Sequence, residues 1–263
     1  MKNQIGSTFL IGKSHVKNKT ICQDRAIAID TGKLKILVVS DGMGSYEHAH
    51  LGAEFAVNYI KENADNFYSL LKFHFDNDRN IIWDKPNDKK QFRQNLIKQL
   101  FEMQNQAEDY AFRIGLTLED LHCTLSFVLI GEDRMLSLSI GDSPIFIKKG
   151  GKLQVISEEK PEGENVNITH SVMHMELSAH HFNVAIDSIN ELETVVIMSD
   201  GCLGYEKENF ENDHNIVDLP KWYYKMIKGK VSITDTIIKL VKQGYDDCSF
   251  AFYVHDPMLL NSE

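Results

Sequence analysis

Short apolar runs, largely aliphatic or β-branched, recur along the chain and meet acidic residues at their ends. Leu34 to Val39 precedes Asp41, Met135 to Ile140 precedes Asp142, Thr194 to Met198 precedes Asp200, and Ser249 to Val254 follows Asp247. Runs of this length and composition predict buried strands rather than helices. Ser7 to Ile11, Ala26 to Ile29, Thr124 to Ile130, Ile145 to Lys148 and Leu153 to Ile156 read the same way, with weaker strands at Val172 to Leu177 and Val184 to Ile186. Polar turns at Asp30-Thr31-Gly32-Lys33, Gly131-Glu132-Asp133 and Lys149-Gly150-Gly151 join neighbours as antiparallel hairpins.

Two segments carry helical periodicity instead. Leu51, Phe55 and Tyr59, with Ala56 and Ile60, share one face just after Asp41. From about Asp88 to Arg113, the residues Phe92, Leu96, Leu100, Met103, Ala107 and Tyr110 or Ala111 form an apolar stripe that Gly115 would close. Between them Phe73 to Lys90 is polar and irregular, so the pair predicts a helical hairpin on one face of a sheet. Two more helices are expected near Pro220 to Lys228 and Ile233 to Gln243, the latter opened by Ser232 and Asp235 and followed by Gly244. Lys160 to Asn167 and Tyr205 to Leu219 read as loops. Alternating strand groups and helical pairs give an α+β class with layered, mostly antiparallel sheets. The acidic motifs run from Asp24 to Asp247 without a repeat or low-complexity linker, which predicts one domain over residues 1–263.

The 263 residues are 43% apolar and 25% charged, enough for a sizeable core. A net charge of −10 argues against nucleic acid as the main partner, since that footprint is basic. No apolar stretch is long enough to span a membrane and the N-terminal residues lack a secretory core, so a soluble cytoplasmic protein is expected. The cysteines, Cys22, Cys123, Cys202 and Cys248, form no CxxC pair and indicate neither a zinc ribbon nor a disulfide framework. Three of them stand within two residues of a motif aspartate, either as small buried hydrophobes or as thiols beside a metal.

Candidate chemistry lies in the carboxylates. Any one Asp-Gly after an apolar run is first a turn signal. As a set, Gln23-Asp24, Asp41-Gly42-Met43-Gly44, Gly141-Asp142-Ser143, Ser199-Asp200-Gly201 and Asp246-Asp247-Cys248-Ser249 would bring several charges to one end of a sheet. Crowded carboxylates in a poorly solvated cleft repel one another unless cations neutralise them, so a metal cluster is expected.

The order of these motifs, with Val38-Val39-Ser40 before Asp41 and Met198 before Ser199, resembles the metal-dependent type-2C serine/threonine protein phosphatases, the PPM family, in its bacterial form. The resemblance spans essentially the whole chain. It implies a four-layer α-β-β-α sandwich, two central sheets flanked by helical pairs, with two Mn²⁺ or Mg²⁺ ions at one end. Asp41 would bridge both ions, the carbonyl of Gly42 would hold one, and Asp200 and Asp246 would complete the other. Asp142 with Asp200 would hold a weaker third ion, and Asp24 would bond waters around the metals. The implied reaction is hydrolysis of phosphoserine or phosphothreonine by a metal-activated water with no covalent intermediate. A phosphorylated protein and a cognate kinase or its targets are the implied partners.

The chain departs from the family pattern at three positions. Met43 stands where many members carry a general-acid His, as in many bacterial members, with His48 and His50 nearby. Lys19 stands where the family has a phosphate-binding Arg, and Gln23 where some members have Glu. Lysine holds phosphate as a point charge without the bidentate fork. His15 is a further candidate contact to the substrate phosphate. His170, His174, His180 and His181 read as loop histidines rather than a zinc site. A catalytically weak scaffold or sensor of the same fold, binding a phosphoprotein or kinase, is the alternative. An unrelated metal-dependent phosphodiesterase or nuclease is a third reading, which the acidic chain disfavours.

Overall fold

The computed structural model describes residues 3–74, 86–156, 169–174, 182–202, 207–212, 215–220 and 246–255. Its strands and helices follow in the order β1 (Gln4–Leu10), α1 (Lys13–Asn18), β2 (Arg25–Asp30), β3 (Lys35–Ser40), α2 (Ala49–His74), α3 (Pro86–Arg113), β4 (Leu125–Ile130), β5 (Arg134–Ile140) and β6 (Ile145–Lys149). They continue with β7 (Lys152–Ile156), β8 (Asn183–Ser188), β9 (Leu192–Met198), β10 (Lys207–Asn212), β11 (Asn215–Pro220) and β12 (Cys248–Val254). Two five-stranded sheets result, ordered β1-β12-β9-β6-β7 and β2-β3-β4-β5-β8, and the named strand pairs are antiparallel. The α+β class with antiparallel sheets is therefore the observed one.

The period of two along β3 decides what each sheet face meets. Ile36 and Val38 point into one core with Phe127, Leu129 and Leu136 and with Ala53, Ile60 and Phe67 of α2 and Phe92, Leu96 and Leu100 of α3. Leu37 and Val39 point the other way, into an inter-sheet core with Val128, Ile145, Val195, Ile197 and Ala251. Because both faces are covered, β3 is apolar throughout Ile36 to Val39 and β4 is apolar except at Ser126. Phe67 meets Phe127 edge-on at 5.4 Å between ring centroids, tying α2 to the centre of its sheet. Truncating such a ring to Ala costs on the order of 3–5 kcal/mol.

Several elements differ from the sequence reading. α3 begins at Pro86, which sits in the first turn where its missing N–H is harmless, so the polar connection is shorter than expected. α1 has no buried residue and hence no apolar stripe to betray it. The polar segment 205–219 contains the hairpin β10–β11, with Asn212 opposite Asn215. The expected strand Val172 to Leu177 is described over 172–174, where it forms a turn at 172–173 and no strand. The two C-terminal helices lie outside the described residues beyond Pro220, as do His180 and His181. Among the described residues no helix is long and apolar enough to cross a membrane.

Candidate metal centre

Strand ends build the site. Where β3 stops, the Asp41 N–H donates to Thr124 Oγ1 at 2.9 Å and the Thr124 N–H donates back to the Asp41 carbonyl at 2.8 Å. Ser40 Oγ donates to the Thr124 carbonyl at 2.6 Å. This latch holds the Asp41 turn against the start of β4. At the end of β5 Gly141 takes φ +88, a conformation that favours glycine, and turns Asp142 toward the same end of the sandwich. Asp142 Oδ2 accepts from Thr169 Oγ1 at 2.7 Å.

The other sheet supplies its acids through a second latch. The Ser199 N–H donates to the Ser249 carbonyl and the Ser249 N–H donates to Ser199 Oγ, both at 2.9 Å, locking the end of β9 to the start of β12. Asp200 and Asp246 flank that junction. Gly201 is required there by proximity: a Cβ on it would lie 1.8 Å from the Asp247 carbonyl oxygen.

Carboxylate oxygens of Asp41, Asp142 and Asp200 come within 4.8 Å of one another. Like charges at that spacing repel by roughly 3 kcal/mol per pair at an effective dielectric of about 20. Burial, then the charges of Asp24 and Asp200, raise the Asp41 carboxyl well above the ordinary range. Burial, then Asp142 and Asp246, raise Asp200. Asp24 lies buried, and both of its oxygens lack a hydrogen-bond partner among the described residues. Burial pushes its carboxyl up to about 6, with Asp41, Ser199 and Ser249 nearby pulling the other way. An all-oxygen cluster over an orphaned buried carboxylate fits hard divalent cations such as Mn²⁺ and Mg²⁺.

Asp41, Asp142 and Asp200 line one cleft of about 440 Å³ with Asp246, Gly42 and His15, while the buried Asp24 does not line it. Not every expected residue reaches it. Lys19 caps α1 in the left-handed region with φ 57, is exposed and does not line the cleft. His48, His50, His170 and His174 are likewise not among the lining residues.

The family model described as Protein phosphatase 2C matches residues 11–230. The chain belongs to the protein phosphatase 2C family. No curated protein matches it. Among solved structures, a bacterial serine phosphatase aligns at 16% identity and TM-score 0.60, covering 100% of this chain and 99% of the other. Serine/threonine phosphatase Stp1 from Staphylococcus aureus aligns at 16% identity and TM-score 0.60, with 96% of each chain covered. The catalytic domain of the phosphatase PstP, in complex with two manganese ions, aligns at 13% identity and TM-score 0.60, covering 96% of this chain and 97% of that one. At these identities the likeness is one of fold.

Within this phosphatase 2C fold, Asp247 is the residue to which the sequence reading assigned no role. It is buried and accepts from the Gly12 N–H at 2.7 Å, the Gln23 N–H at 2.6 Å and His15 Nδ1 at 2.7 Å. Gln23 in turn donates through Nε2 to the Tyr46 carbonyl at 3.0 Å. Asp247 thus fastens the N-terminal segment to the β12 end of the site. The doubled Asp246-Asp247 was the available signal; both acids line the cleft, yet spacing alone does not say which of the two is buried against backbone N–H groups.

Proposed function

We propose that this chain is a metal-dependent phosphatase that hydrolyses phosphoserine and phosphothreonine in proteins by direct attack of water, without a covalent intermediate. The observation that supports it most is the convergence of Asp41, Asp142 and Asp200 in a cleft shared with Asp246 and His15. Asp41, the Gly42 carbonyl, Asp200 and Asp246 would hold two Mn²⁺ or Mg²⁺ ions, and Asp142 with Asp200 a third. When bound, the cations would supply positive charge for the phosphoryl oxygens and make water a competent nucleophile near neutral pH.

The chain's own residues set the rest. The Thr124 and Ser199–Ser249 latches hold the acids in register, so that little reorganisation accompanies substrate entry. Asp24 adds negative charge beneath Asp41 and keeps the centre attractive to cations. Among the described residues lining the cleft, His15 is the basic side chain available to the substrate. A phosphoprotein, released from or regulated by a cognate kinase in the cytoplasm, is the proposed substrate. The test is release of phosphate from a phosphothreonine peptide by purified protein with Mn²⁺, with Mg²⁺ and after chelation, beside Asp41→Asn. Turnover that needs metal and disappears in the variant is expected; metal-independent turnover, or none with Mn²⁺ bound, overturns the proposal.

A further inference from the structure

Among the described residues lining the cleft, His15 is the one basic side chain; Asp41, Asp142, Asp200, Asp246 and Asp247 are the acids. Its ring is oriented by a built contact. Nδ1 lies 2.7 Å from Asp247 Oδ2, and Asp247 is itself held by two backbone N–H groups, of Gly12 and Gln23. A carboxylate in that position only accepts, so Nδ1 carries the hydrogen and Nε2 is left as the ring's other polar atom. His15 retains about a fifth of its side-chain exposure while Asp247 retains 3%, so the ring bridges a buried anchor and an open cleft. The position that follows Asp41-Gly42 is Met43, which lines the same cleft and carries no proton to give.

From this geometry, and resting on the phosphatase reading above, we infer that His15 is the general acid for the leaving group and that Asp247 is its positioning residue. The attacking water forms a new P–O bond as the ester P–O bond breaks. The electron pair of the broken bond goes to the seryl or threonyl oxygen, which takes the proton from Nε2 of the doubly protonated ring and leaves the neutral ring with its hydrogen on Nδ1. The proton lost by the attacking water returns the ring to its acidic form through solvent. An alkoxide is a poor leaving group and needs that proton, whereas an acidic phenol leaves without it.

The dependence on leaving group is therefore the test. Wild type, His15→Gln and Asp247→Asn are assayed with Mn²⁺ on a phosphothreonine peptide and on p-nitrophenyl phosphate, with Mn²⁺ binding followed calorimetrically. His15→Gln is expected to lower kcat on the peptide about 10²- to 10⁴-fold, to change kcat on the aryl ester less than about threefold, and to keep Mn²⁺ affinity. Asp247→Asn is expected to show the same split with a smaller loss. Equal losses on both substrates, a change in KM alone, or no loss on the peptide overturns the inference while leaving the phosphatase reading intact. Absence of wild-type turnover on both substrates with Mn²⁺ bound overturns both. Should the variants not fold, wild-type kcat across aryl phosphates of rising leaving-group pKa decides: a shallow slope supports proton donation and a steep one overturns it.

Discussion

Asp24→Asn provides a direct measure of the charge stored under the site. The native carboxylate is buried, its oxygens are unpartnered among the described residues, and its pKa stands at about 6 against an ordinary 3.8. At ~1.4 kcal/mol per pH unit, that rise represents about 3 kcal/mol of destabilisation in the metal-free protein. The sign follows from proton linkage. Below pH 3.8 both folded and unfolded chains hold the proton and the penalty is absent. Between pH 3.8 and about 6 the unfolded chain releases its proton first, and the penalty grows. Above about pH 6 it is complete. Asparagine keeps the shape and removes the charge, while its own unpaired amide costs about 1–2 kcal/mol. In EDTA the variant is therefore expected to melt a few degrees above wild type at pH 7.5, at roughly 2–4 °C per kcal/mol for a chain of this size. At pH 4 that advantage should vanish. Saturating Mn²⁺ should close or reverse the gap, because cations stabilise the wild-type charge and binding raises Tm. Thermal melts followed by circular dichroism from pH 4 to 8 give the result. A difference in Tm that does not vary with pH, or a variant that melts lower than wild type at pH 7.5 without metal, would refute the reasoning.

Three further outcomes are expected. Asp41→Asn should abolish the Mn²⁺-induced rise in Tm along with phosphopeptide turnover, since Asp41 belongs to the carboxylate cluster and burial raises its carboxyl well above the ordinary range; a retained metal-dependent rise argues against it. Gly201→Ala should push the 246–247 segment off β9, because its Cβ would meet the Asp247 carbonyl at 1.8 Å; a loss of on the order of 2–4 kcal/mol in urea unfolding and weakened Mn²⁺ binding in calorimetry are expected. Thiol labelling at pH 8 should be slow in the native protein and complete on unfolding. Cys123, Cys202 and Cys248 are buried, and burial, then Asp247, pushes the half-buried Cys22 thiol up to about 12. Fast native labelling would overturn that reading.

The strands were legible because local pattern and tertiary role agree. Runs such as Leu34 to Val39 and Thr124 to Ile130 are buried on both faces, so most positions are apolar. α2 and α3 were legible for the same reason, each carrying one stripe that meets one sheet. α1 was not, because a six-residue surface helix without a buried side chain leaves no periodic trace. The hairpin β10–β11 was hidden by a polar composition that suits a loop equally well. Metal-type chemistry was visible in the acidic motifs because their residue types and placement at strand ends are local facts.

Partner choice was not local. That β1 pairs with β12 rather than with β2 joins the two ends of the chain, and no short-range signal specifies a contact across so much sequence. The same closure seats Asp247 against Gly12, Gln23 and His15, turning a nominal metal-motif neighbour into the anchor of an imidazole. It also separates His15 from Lys19: one residue lines the cleft and the other does not, although four positions separate them. Sequence by itself determined which residues carry charge and where strands end, since both are properties of short segments. Tertiary structure alone decided which of those charges share a cleft and which lie beneath it, because burial and mutual distance depend on how segments remote in the chain pack together.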